Sequence, residues 1–491
     1  MIENLQRADH RLITKRIIIR VILVLDTPTC LGSGDAEAPT DLALLRDSIS
    51  DRALLTGSSL GGALRNYLHE YEQGYGENEI RQGLVTKLFG HLFRYEGEES
   101  NEEENQSPLI IDDAISSTIP VIELRDGVKI DGATGTAEDS AKYDLELLEA
   151  GTEFFLNFEL LIEKDEADLK KALALALRGL EQGEISLGMK KRRGFGRCHV
   201  KEWQVWKFDL TDPGDRTAWL LFDRECTKSP VITNKIADAL GVVLDEGEDK
   251  RDRFTIQATF KLVSSLLIRS GQAETGLAPD VVHLKSHRPG KIDPEPVLSG
   301  TSLAGVLRHR AERIVNTLEK PTTIIDEIFG PDFSEDKTKE AKASRLIVHE
   351  STINQTTDLV QTRIAIDRFT GGAYHGALFQ EQPIFGKGDE NLNLEIELRQ
   401  PEPYEIGLLL LLLKDLWTED LPVGGGSSVG RGRLKGKKAT LKRKSSEWNI
   451  EDDNNSNLRI TPKNAETTLE YFVSELVKYL KENHNNEPSN S

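Results

Sequence analysis

The sequence predicts an α+β fold in which one module is present twice. Similar segments recur in the same order along the chain, and each copy shows the same succession of strand-like and helix-like patterns. Chance similarity does not preserve both order and spacing, so the sequence indicates a duplicated domain. The matching segments are 54–68 with 297–311, 87–90 with 327–330, 107–115 with 344–352, 127–137 with 363–373, and 190–197 with 426–433.

Each copy is predicted to fold as β-α-β-β-α-β. It opens with a β-branched strand, Arg16–Leu25 or Phe254–Val263, and a helix with one apolar face follows a Gly-Ser-Ser or Gly-Thr-Ser start. A further strand, a second apolar helix and a glycine-rich loop end each unit. This order is typical of ferredoxin-like and RRM-like layered domains with insertions.

The repeats also predict how the chain divides into domains. The connector is expected to be partly helical, and the C-terminal segment to contain one amphipathic helix before a disordered polar tail. The predicted segments are an N-terminal arm (1–15), a first RRM-like domain (16–210), a connector (211–252), a second RRM-like domain (253–445) and the C-terminal segment (446–491).

Composition excludes several classes of protein. With 491 residues, 38% of them hydrophobic and 29% charged, the chain is expected to be soluble and globular. The longest apolar run, Ile406–Leu413, is too short to cross a membrane, and the first residues carry no apolar signal core. Three cysteines without a CxxC spacing argue against a disulfide scaffold or a cysteine-rich zinc site. We therefore expect a cytoplasmic protein without a membrane partner.

The charge is unevenly distributed along the chain. The net charge of −20 alone disfavours binding to a polyanion. However, the segment from Gly424 to Arg443 contains seven basic residues and no acidic one, and residues 190–197 form a second basic cluster. Net charge therefore does not exclude nucleic acid as a ligand.

The two glycine-rich loops near the end of each unit are the strongest candidates for phosphate binding. Glycines allow a backbone to approach a ligand closely, and the neighbouring Lys and Arg side chains supply cations. The alternative is a flexible hairpin on a solvated face. The candidates are Lys190, Lys191, Arg192, Arg193, Gly194, Gly196 and Arg197 in the first loop, and Gly425, Gly426, Ser427, Ser428, Arg431 and Arg433 in the second.

The start of the first helix in each unit is a second candidate anion site. Backbone N–H groups at a helix N-terminus attract anions, and an arginine, Arg65 or Arg308, follows at the same position in both copies. The alternative is an ordinary N-cap with a surface arginine held in an ion pair. The expected N-cap residues, which are also candidate anion ligands, are Ser58, Ser59, Thr301 and Ser302.

An acidic loop follows the first strand of each unit. Asp41 and Asp280 stand at similar positions before the helix start, and Asp35 lies earlier in the first loop. Such a carboxylate could hold a divalent ion or position a ribose 2′-hydroxyl, although composition alone favours an ordinary acidic turn. Asp131 and Asp367, which occur in the repeated IDxxTG segments, are predicted to cap their own turns.

This order of motifs resembles the RAMP superfamily, the RRM-like proteins of CRISPR–Cas systems. The segments IAIDRFTGGAYHGALF and PVGGGSSVGRGR are similar to those of type III backbone subunits, and two units in one chain resemble the fused backbone subunit of type III-D variants. The resemblance implies binding of guide RNA (crRNA) and of a complementary target RNA. It also implies thumb hairpins around Ala114–Gly135 and Ser351–Gly371. The implied neighbours are other RAMP backbone subunits and a large polymerase/cyclase-type subunit.

The resemblance further implies a metal-dependent endoribonuclease. Family members with activity use an Asp in the acidic loop, with Mg²⁺ or Mn²⁺, to cleave the target RNA. By motif position this residue is Asp41 or Asp280, with Asp35 as a second choice in the first loop. Three alternatives remain open at this point: a scaffold subunit with inert loops, a guide-processing endonuclease of the same superfamily, and an unrelated tandem-RRM regulator.

Overall fold

A computed structural model describes most of the chain. The acidic insertion 96–105, the polar tail 483–491 and the loop that carries Asp35 and Asp41 lie outside the described residues. Those described are 12–34, 43–80, 82–91, 106–132, 134–163, 166–225, 227–269, 279–317, 323–333, 338–452, 458–462 and 465–482.

The first unit and the connector contain ten strands and six helices within the described residues. The 3₁₀ turns Lys191–Arg193 and Glu246–Glu248 add to these. In chain order the elements are β1 (Lys15–Leu25), β2 (Leu54–Leu55), α1 (Gly57–Gln73), α2 (Leu84–Phe89), β3 (Leu109–Ile111), β4 (Ala114–Ile115), β5 (Ile122–Ile130), β6 (Ala137–Leu148), β7 (Glu153–Ile162), α3 (Glu166–Glu181), β8 (Cys198–Val200), β9 (Trp203–Asp209), α4 (Pro213–Leu220), α5 (Phe222–Glu225), β10 (Val231–Thr233) and α6 (Ile236–Leu240).

The second unit and the C-terminal segment repeat this order. A 3₁₀ turn, Ser427–Val429, stands where Lys191–Arg193 stands in the first unit. The elements are β11 (Arg253–Leu262), β12 (Val281–Val282), β13 (Lys285–Ser286), β14 (Glu295–Leu298), α7 (Gly300–Thr317), α8 (Thr323–Phe329), β15 (Leu346–Val348), β16 (Ser351–Thr352), β17 (Thr356–Asp358), β18 (Gln361–Ile366), β19 (Ala373–Gln382), β20 (Ile384–Gly386), β21 (Leu392–Arg399), α9 (Pro403–Trp417), β22 (Leu434–Arg443), β23 (Ser446–Asp452), β24 (Leu458–Thr461) and α10 (Ala465–Glu482).

Both units form an antiparallel sheet of the ferredoxin-like type. The sheet orders are β10-β9-β1-β7-β3 and β15-β21-β11-β22-β23-β24. In each sheet the first strand of the module lies between its last and its third strand, and its second strand lies at an edge. The predicted fold class, α+β with two tandem ferredoxin-like units, is therefore confirmed.

Each sheet buries one face beneath its two main helices. Every second residue of β1 from Ile17 to Leu25 lies in the main core, as the period of a strand requires, and α3 packs its apolar side chains against them. In the second unit α7 and α9 cover the same face of the sheet, from Phe254 to Leu262 of β11. The opposite face of each sheet is left for other contacts.

The two predicted thumb hairpins are present. They are β5–β6 in the first unit and β18–β19 in the second. The predicted ranges ended too early, because Gly135 and Gly371 lie in the turns of the hairpins rather than at their ends. The returning strands continue to Leu148 and Gln382, and their alternating pattern pairs them with the outgoing strands.

The connector and the C-terminal segment extend the two sheets. In the connector β10 pairs with β9, α4 and α5 lie on the sheet face opposite α1 and α3, and α6 contributes to the main core. In the C-terminal segment β23 and β24 continue the second sheet, and α10 packs on α9 with Tyr479 stacked on Tyr404 at 3.9 Å. Across the described residues, the chain has no helix of the length and apolarity that crossing a bilayer requires.

A candidate RNA interface between the two units

The first unit packs on the open face of the second sheet. Three ion pairs mark this contact: Glu70 with Arg399 at 3.1 Å, Arg197 with Glu395 at 2.7 Å, and Glu184 with Arg253 at 2.8 Å. Arg253, Glu395 and Arg399 all project from β11 and β21 on the face opposite α7 and α9. The first unit is therefore docked on the face of the second sheet that α7 and α9 leave open.

The first hairpin is clamped to the second unit by a buried charged cluster. Arg125 on β5 donates to Glu350 at 2.8 Å and also pairs with Glu123 on its own strand. Arg288 donates to the same Glu350 at 2.7 Å, and Ser286 donates to Glu123 at 2.9 Å. The two arginines hold the pKa of the Glu350 carboxyl below its usual value, against the effect of burial, which raises it.

The first glycine-rich loop is docked on the second unit at backbone level. Lys190 and Gly194 flank its 3₁₀ turn, and both adopt the left-handed conformation, with φ of 54° and 86°. A Cβ atom at Gly194 would overlap the backbone nitrogen of Glu350, and one at Gly300 would overlap the carbonyl oxygen of Arg193. Only glycine permits this approach between the loop and the start of α7.

A cleft of about 830 Å³ lies between the units beside this contact. Part of its lining comes from α1, including Ser59 near the start of the helix and Asn66 near its middle, and part from the first loop, including Lys191 and Arg192. The second sheet supplies residues of β11, β15 and β21, among them His349. Two features that the sequence singled out, the first helix start and the first basic loop, therefore meet at one place.

The cleft contains cations that the protein does not fully neutralise. Burial lowers the pKa of Lys191, and the neighbouring positive charges of Arg192 and Arg399 lower it further. Burial and Arg399 likewise lower the pKa of Arg192. Arg192 is half-buried and Lys191 is exposed, and within the described part of the chain Arg192 Nη1 has no hydrogen-bond acceptor. A partly buried cation that lacks an acceptor is costly, so this arrangement favours an anionic ligand.

The second glycine-rich loop has the same backbone but faces solvent. Gly426 and Gly430 flank its 3₁₀ turn with φ of 79° and 84°, and Ser427 and Ser428 are exposed. Gly425 N–H donates to the Leu267 carbonyl at 2.8 Å, which fixes the loop to the end of β11. In the first loop, Gly196 N–H donates to the Pro28 carbonyl at 3.1 Å.

The two arginines that follow the second turn have different surroundings. Arg433 is exposed. Arg431, by contrast, is buried and donates to Glu381 at 2.8 Å and to Gln361 at 3.0 Å. In this structure the guanidinium of Arg431 joins the loop to the base of the second hairpin, and its role as an RNA ligand stays a prediction.

The predicted N-caps need correction. Thr56, rather than Ser58 or Ser59, caps α1, and its hydroxyl accepts from Ser59 N at 3.2 Å. In α7 the Ser299 hydroxyl accepts from Ser302 N at 3.2 Å. Each helix begins earlier than predicted, because the glycine after the capping residue is already helical. The serines of the first helix are exposed, whereas Thr301 and Ser302 are half-buried.

Arg65 and Arg308 hold the short helix that follows in each unit. Arg65 pairs with Glu79 at 2.5 Å and donates to the Phe89 carbonyl at 3.3 Å. Arg308 pairs with Asp326 at 3.1 Å and donates to the Gly330 carbonyl at 2.8 Å. Both guanidinium groups are thus engaged at equivalent positions. This geometry corresponds to the ion-pair alternative rather than to a phosphate grip.

Of the predicted catalytic residues, the structure describes Asp280 only. Its Oδ2 accepts from Gln380 N at 2.7 Å, which places it at the base of the second hairpin. His283 is buried and accepts from Ile268 N, while His287 pairs with Glu149 at 2.8 Å, so the two histidines do not converge. Within the described ranges no group of three or more His, Cys, Asp and Glu residues converges on a metal-sized site.

The structural role predicted for Asp131 and Asp367 is confirmed. Asp131 Oδ1 accepts from Thr134 N at 2.7 Å. Asp367 Oδ1 accepts from Phe369 N at 3.0 Å, and these bonds lower the pKa of Asp367. Each carboxylate closes the turn of its own hairpin.

The cluster around Arg125 was missed by the sequence reasoning. Comparison of the repeats could not find it, because the position equivalent to Arg125 is Gln361 in the second unit. Its partner Glu350 lies within the repeated segment SRLIVHEST, where the first copy has Asp113. A carboxylate kept in both copies is the one sequence signal that pointed to this place.

Comparison with known families agrees with the duplicated geometry. The sequence profile of the RAMP superfamily matches residues 22–199 and 259–435, one match in each unit. The chain belongs to the RAMP superfamily. RAMP proteins are CRISPR-associated RNA-binding proteins that function with RNA in multi-subunit complexes. No curated protein matches the chain.

Proposed function

We propose that this RAMP protein is a guide-binding backbone subunit of a type III CRISPR effector complex, built as a tandem fusion like that of type III-D variants. The observation that carries the proposal is the cleft between the units, where Lys191 and Arg192 belong to a lining of six Lys and Arg residues against four Glu residues, and where Arg192 Nη1 has no hydrogen-bond acceptor among the residues that the structure describes. The negatively charged phosphates of a guide RNA (crRNA) complement these positive charges. The proposed neighbours are further RAMP subunits and a large polymerase/cyclase-type subunit.

The lining of the cleft suits recognition of a backbone rather than of bases. Lys191 and Arg192 offer cations, and Ser59 and Asn66 offer a hydroxyl and an amide beside them. Described aromatic side chains of the lining are Tyr67 and Tyr75, which are buried. Such a site binds phosphate and sugar groups and leaves the bases unread, as a subunit that accepts any guide requires.

The binding proposal can be tested with the full chain and a single-stranded RNA. We expect Lys191→Ala with Arg192→Ala to weaken binding roughly tenfold or more, and to reduce the slope of log affinity against log salt by about 2, one for each phosphate contact. The matched control is Lys87→Ala with Lys171→Ala, which removes the same charge from α2 and α3, outside the cleft. Equal losses in both double variants would contradict the proposal.

We further propose that the assembled complex cleaves target RNA at the acidic loops. Asp41 is the candidate in the first unit with Asp35 as second choice, and Asp280 is the candidate in the second. In support, Asp280 lies at the base of a hairpin that projects from the second unit. One carboxylate can hold Mg²⁺ or Mn²⁺ only together with further oxygen ligands, which RNA could supply. A divalent ion bound there would stabilise negative charge on the phosphodiester being cleaved.

One observation favours a second candidate function, a scaffold subunit without catalysis. The described residues contain no converging set of metal ligands, and Asp280 already accepts a backbone hydrogen bond. In that case the acidic loops would be inert and a neighbouring subunit would cut the target.

Mapping of the cuts in the assembled complex separates the two functions. An end-labelled complementary target is incubated with wild-type, Asp41→Asn and Asp280→Asn complexes, each with and without Mg²⁺. The catalytic proposal expects each variant to lose one distinct, Mg²⁺-dependent cut. Persistence of all cuts in both variants, and in an Asp35→Asn complex, would establish the scaffold function.

A further inference from the structure

The open faces of the two sheets are covered by different neighbours. On the second sheet the first unit covers β11 and β21, with contacts at Arg253, Glu395 and Arg399. On the first sheet the helices α4 and α5 of the connector cover the equivalent face. The strand registers make the comparison direct, because Arg16 pairs with Leu161 as Arg253 pairs with Arg399.

The connector occupies the positions where a unit would dock. Arg16, the equivalent of Arg253, lies against the ring of Trp219 at 4.2 Å. Arg20, the equivalent of Gln257 in the cleft, lies against Phe222 at 4.6 Å and pairs with Asp223 at 2.8 Å. A unit placed on the first sheet in the same way would collide with α4 and α5.

The open face of the first sheet is apolar where that of the second sheet is polar. Ile18 and Trp206 are opposite one another on the first sheet, and both are buried against the connector. The equivalent pair on the second sheet is Thr255 with Lys442, which are polar. Phe222 makes edge contacts with Trp206 at 5.1 Å, which fixes the connector to this apolar face.

The ion pairs of the existing interface could not be repeated between two copies. In a contact between two copies, Arg313 of the second copy would take the place of Glu70, and Leu161 of the first copy would take the place of Arg399. The ion pair would thus become a contact between an arginine and a leucine. Arg197 corresponds to Arg433, and its partner Glu395 corresponds to Asn157. A second copy would therefore meet the first sheet without two of the three charge pairs.

The second unit has its own glycine-rich loop and hairpin, and in this structure both face solvent. Gly430 has the backbone of Gly194, yet a Cβ atom added there would meet nothing within 4 Å. Arg433 and Arg313, the equivalents of Arg197 and Glu70, are both exposed. The second hairpin is also exposed, with Phe369 at 99%.

We infer that α4 and α5 cap the first sheet against a second copy of this chain, and that the loop-and-hairpin end of the second unit binds a different protein. That partner would present an uncapped sheet face with carboxylates opposite Arg433 and Arg313. This inference does not depend on RNA binding, and it is tested without RNA.

The test compares the full wild-type chain with an uncapped variant by mass photometry and sedimentation. The uncapped variant carries Trp219→Ser and Phe222→Ser, which release the cap, and Asn157→Glu and Leu161→Glu, which place carboxylates opposite Arg433 and Arg313 of a second copy. We expect the wild type to stay at 54.8 kDa and the uncapped variant to form species of twice that mass and of higher multiples, because a head-to-tail contact leaves both ends of a dimer open. Gly430→Asn, added to the uncapped variant, should abolish them, because Asn tolerates the left-handed backbone but would collide with the docked partner.

Several results would overturn the inference. These are association of the wild type that Gly430→Asn removes, association of the uncapped variant that Gly430→Asn does not change, and an uncapped variant that is folded by circular dichroism yet monomeric. If the uncapped variant does not fold, hydrogen exchange of the wild type decides. Amides of α4 that are as protected as those of β9 support a closed cap, and fast exchange in α4 contradicts it.

Discussion

The two glycine-rich loops have the same backbone and opposite surroundings. Left-handed residues flank the 3₁₀ turn in both, at 190 and 194 in the first loop and at 426 and 430 in the second. The first loop is pressed against the second unit, whereas the second loop is exposed. The comparison teaches that glycines determine the shape of the loop, and that docking of a neighbouring unit determines its environment.

The two hairpins differ in the same way. The first is held by Arg125 against Glu350 of the second unit, and Lys129 near its turn pairs with Asp332 at 3.0 Å. The second projects freely, with Tyr374 65% exposed and Phe369 still more exposed. One copy of each feature therefore shows how the other copy would look when a partner is bound.

The largest expected difference in the free energy of unfolding is that between the variants Gly194→Ala and Gly430→Ala. Both substitutions place an alanine in the left-handed region, which costs about 1–2 kcal/mol. At Gly194 the new Cβ also overlaps the backbone of Glu350, so we expect a total loss of about 4 kcal/mol or more. Urea denaturation of both variants measures the difference, and equal losses would show that the first loop is not docked.

The next largest effect is expected for Arg125→Met. Removing this cation leaves Glu350 and Glu123 buried with less compensation, which costs about 3–5 kcal/mol. The matched variant is Arg431→Met, which breaks a buried pair with Glu381 inside the second unit. Hydrogen exchange should show Arg125→Met loosening both units at their contact and Arg431→Met loosening the second hairpin alone. Identical exchange patterns would refute this assignment.

The lowered pKa of Glu184 predicts that acid weakens the contact between the units. Burial raises its pKa, but the cations of Arg251 and Arg253 outweigh burial and lower the pKa to about 2. Because the folded-state pKa is depressed from 4.5, the stabilisation is complete above pH 4.5 and is lost as pH falls towards 2.

We therefore expect Glu184→Gln to lower the free energy of unfolding at pH 7 by about 2–3 kcal/mol and to flatten its decline between pH 4.5 and 2. The control is Asp420→Asn at the equivalent position of the second unit, where the exposed carboxylate bonds within its own turn to Thr418 and pairs with Lys414, so its effect on both quantities should be much smaller. Unfolding midpoints measured across this range check the result, and an unchanged acid profile in Glu184→Gln would exclude the proposed role.

The smallest effect is expected at the ion pair between Glu70 and Arg399. Both side chains are partly exposed, so Glu70→Gln should destabilise by about 0.5–1 kcal/mol. Its repeat counterpart is Arg313, and Arg313→Gln should leave the isolated chain unchanged because that position faces solvent. Thermal unfolding at low and high salt tests this pair, since screening should shrink the effect of Glu70→Gln.

The duplication made most of the fold predictable from the sequence. Segments rich in β-branched residues located β1 and β11, and the apolar period located α3 and α9. The turns at Asp131 and Asp367 were also predictable, because an Asp that caps its own turn acts locally.

The site was less predictable, because its chemistry depends on contacts distant in sequence. Arg431 and Arg65 are of the residue type expected for phosphate ligands. However, Arg431 pairs with Glu381 and Arg65 pairs with Glu79, and neither carboxylate is adjacent in sequence. Lys191, which is exposed, and Arg192, which is half-buried, became the better candidates only when docking of the two units placed them on the lining of the cleft. Tertiary docking decides which cations remain available, and a repeat pattern does not encode it.

The most direct test of the account is photo-cross-linking of the full chain to a guide-length RNA that contains 4-thiouridine, followed by identification of the labelled peptides. If RNA lies between the units, labels fall on the segments 186–192 and 347–349, which line the cleft together. They should also disappear when Lys191 and Arg192 are replaced. Labels confined to the exposed second loop, with the cleft segments unmodified, would contradict the account.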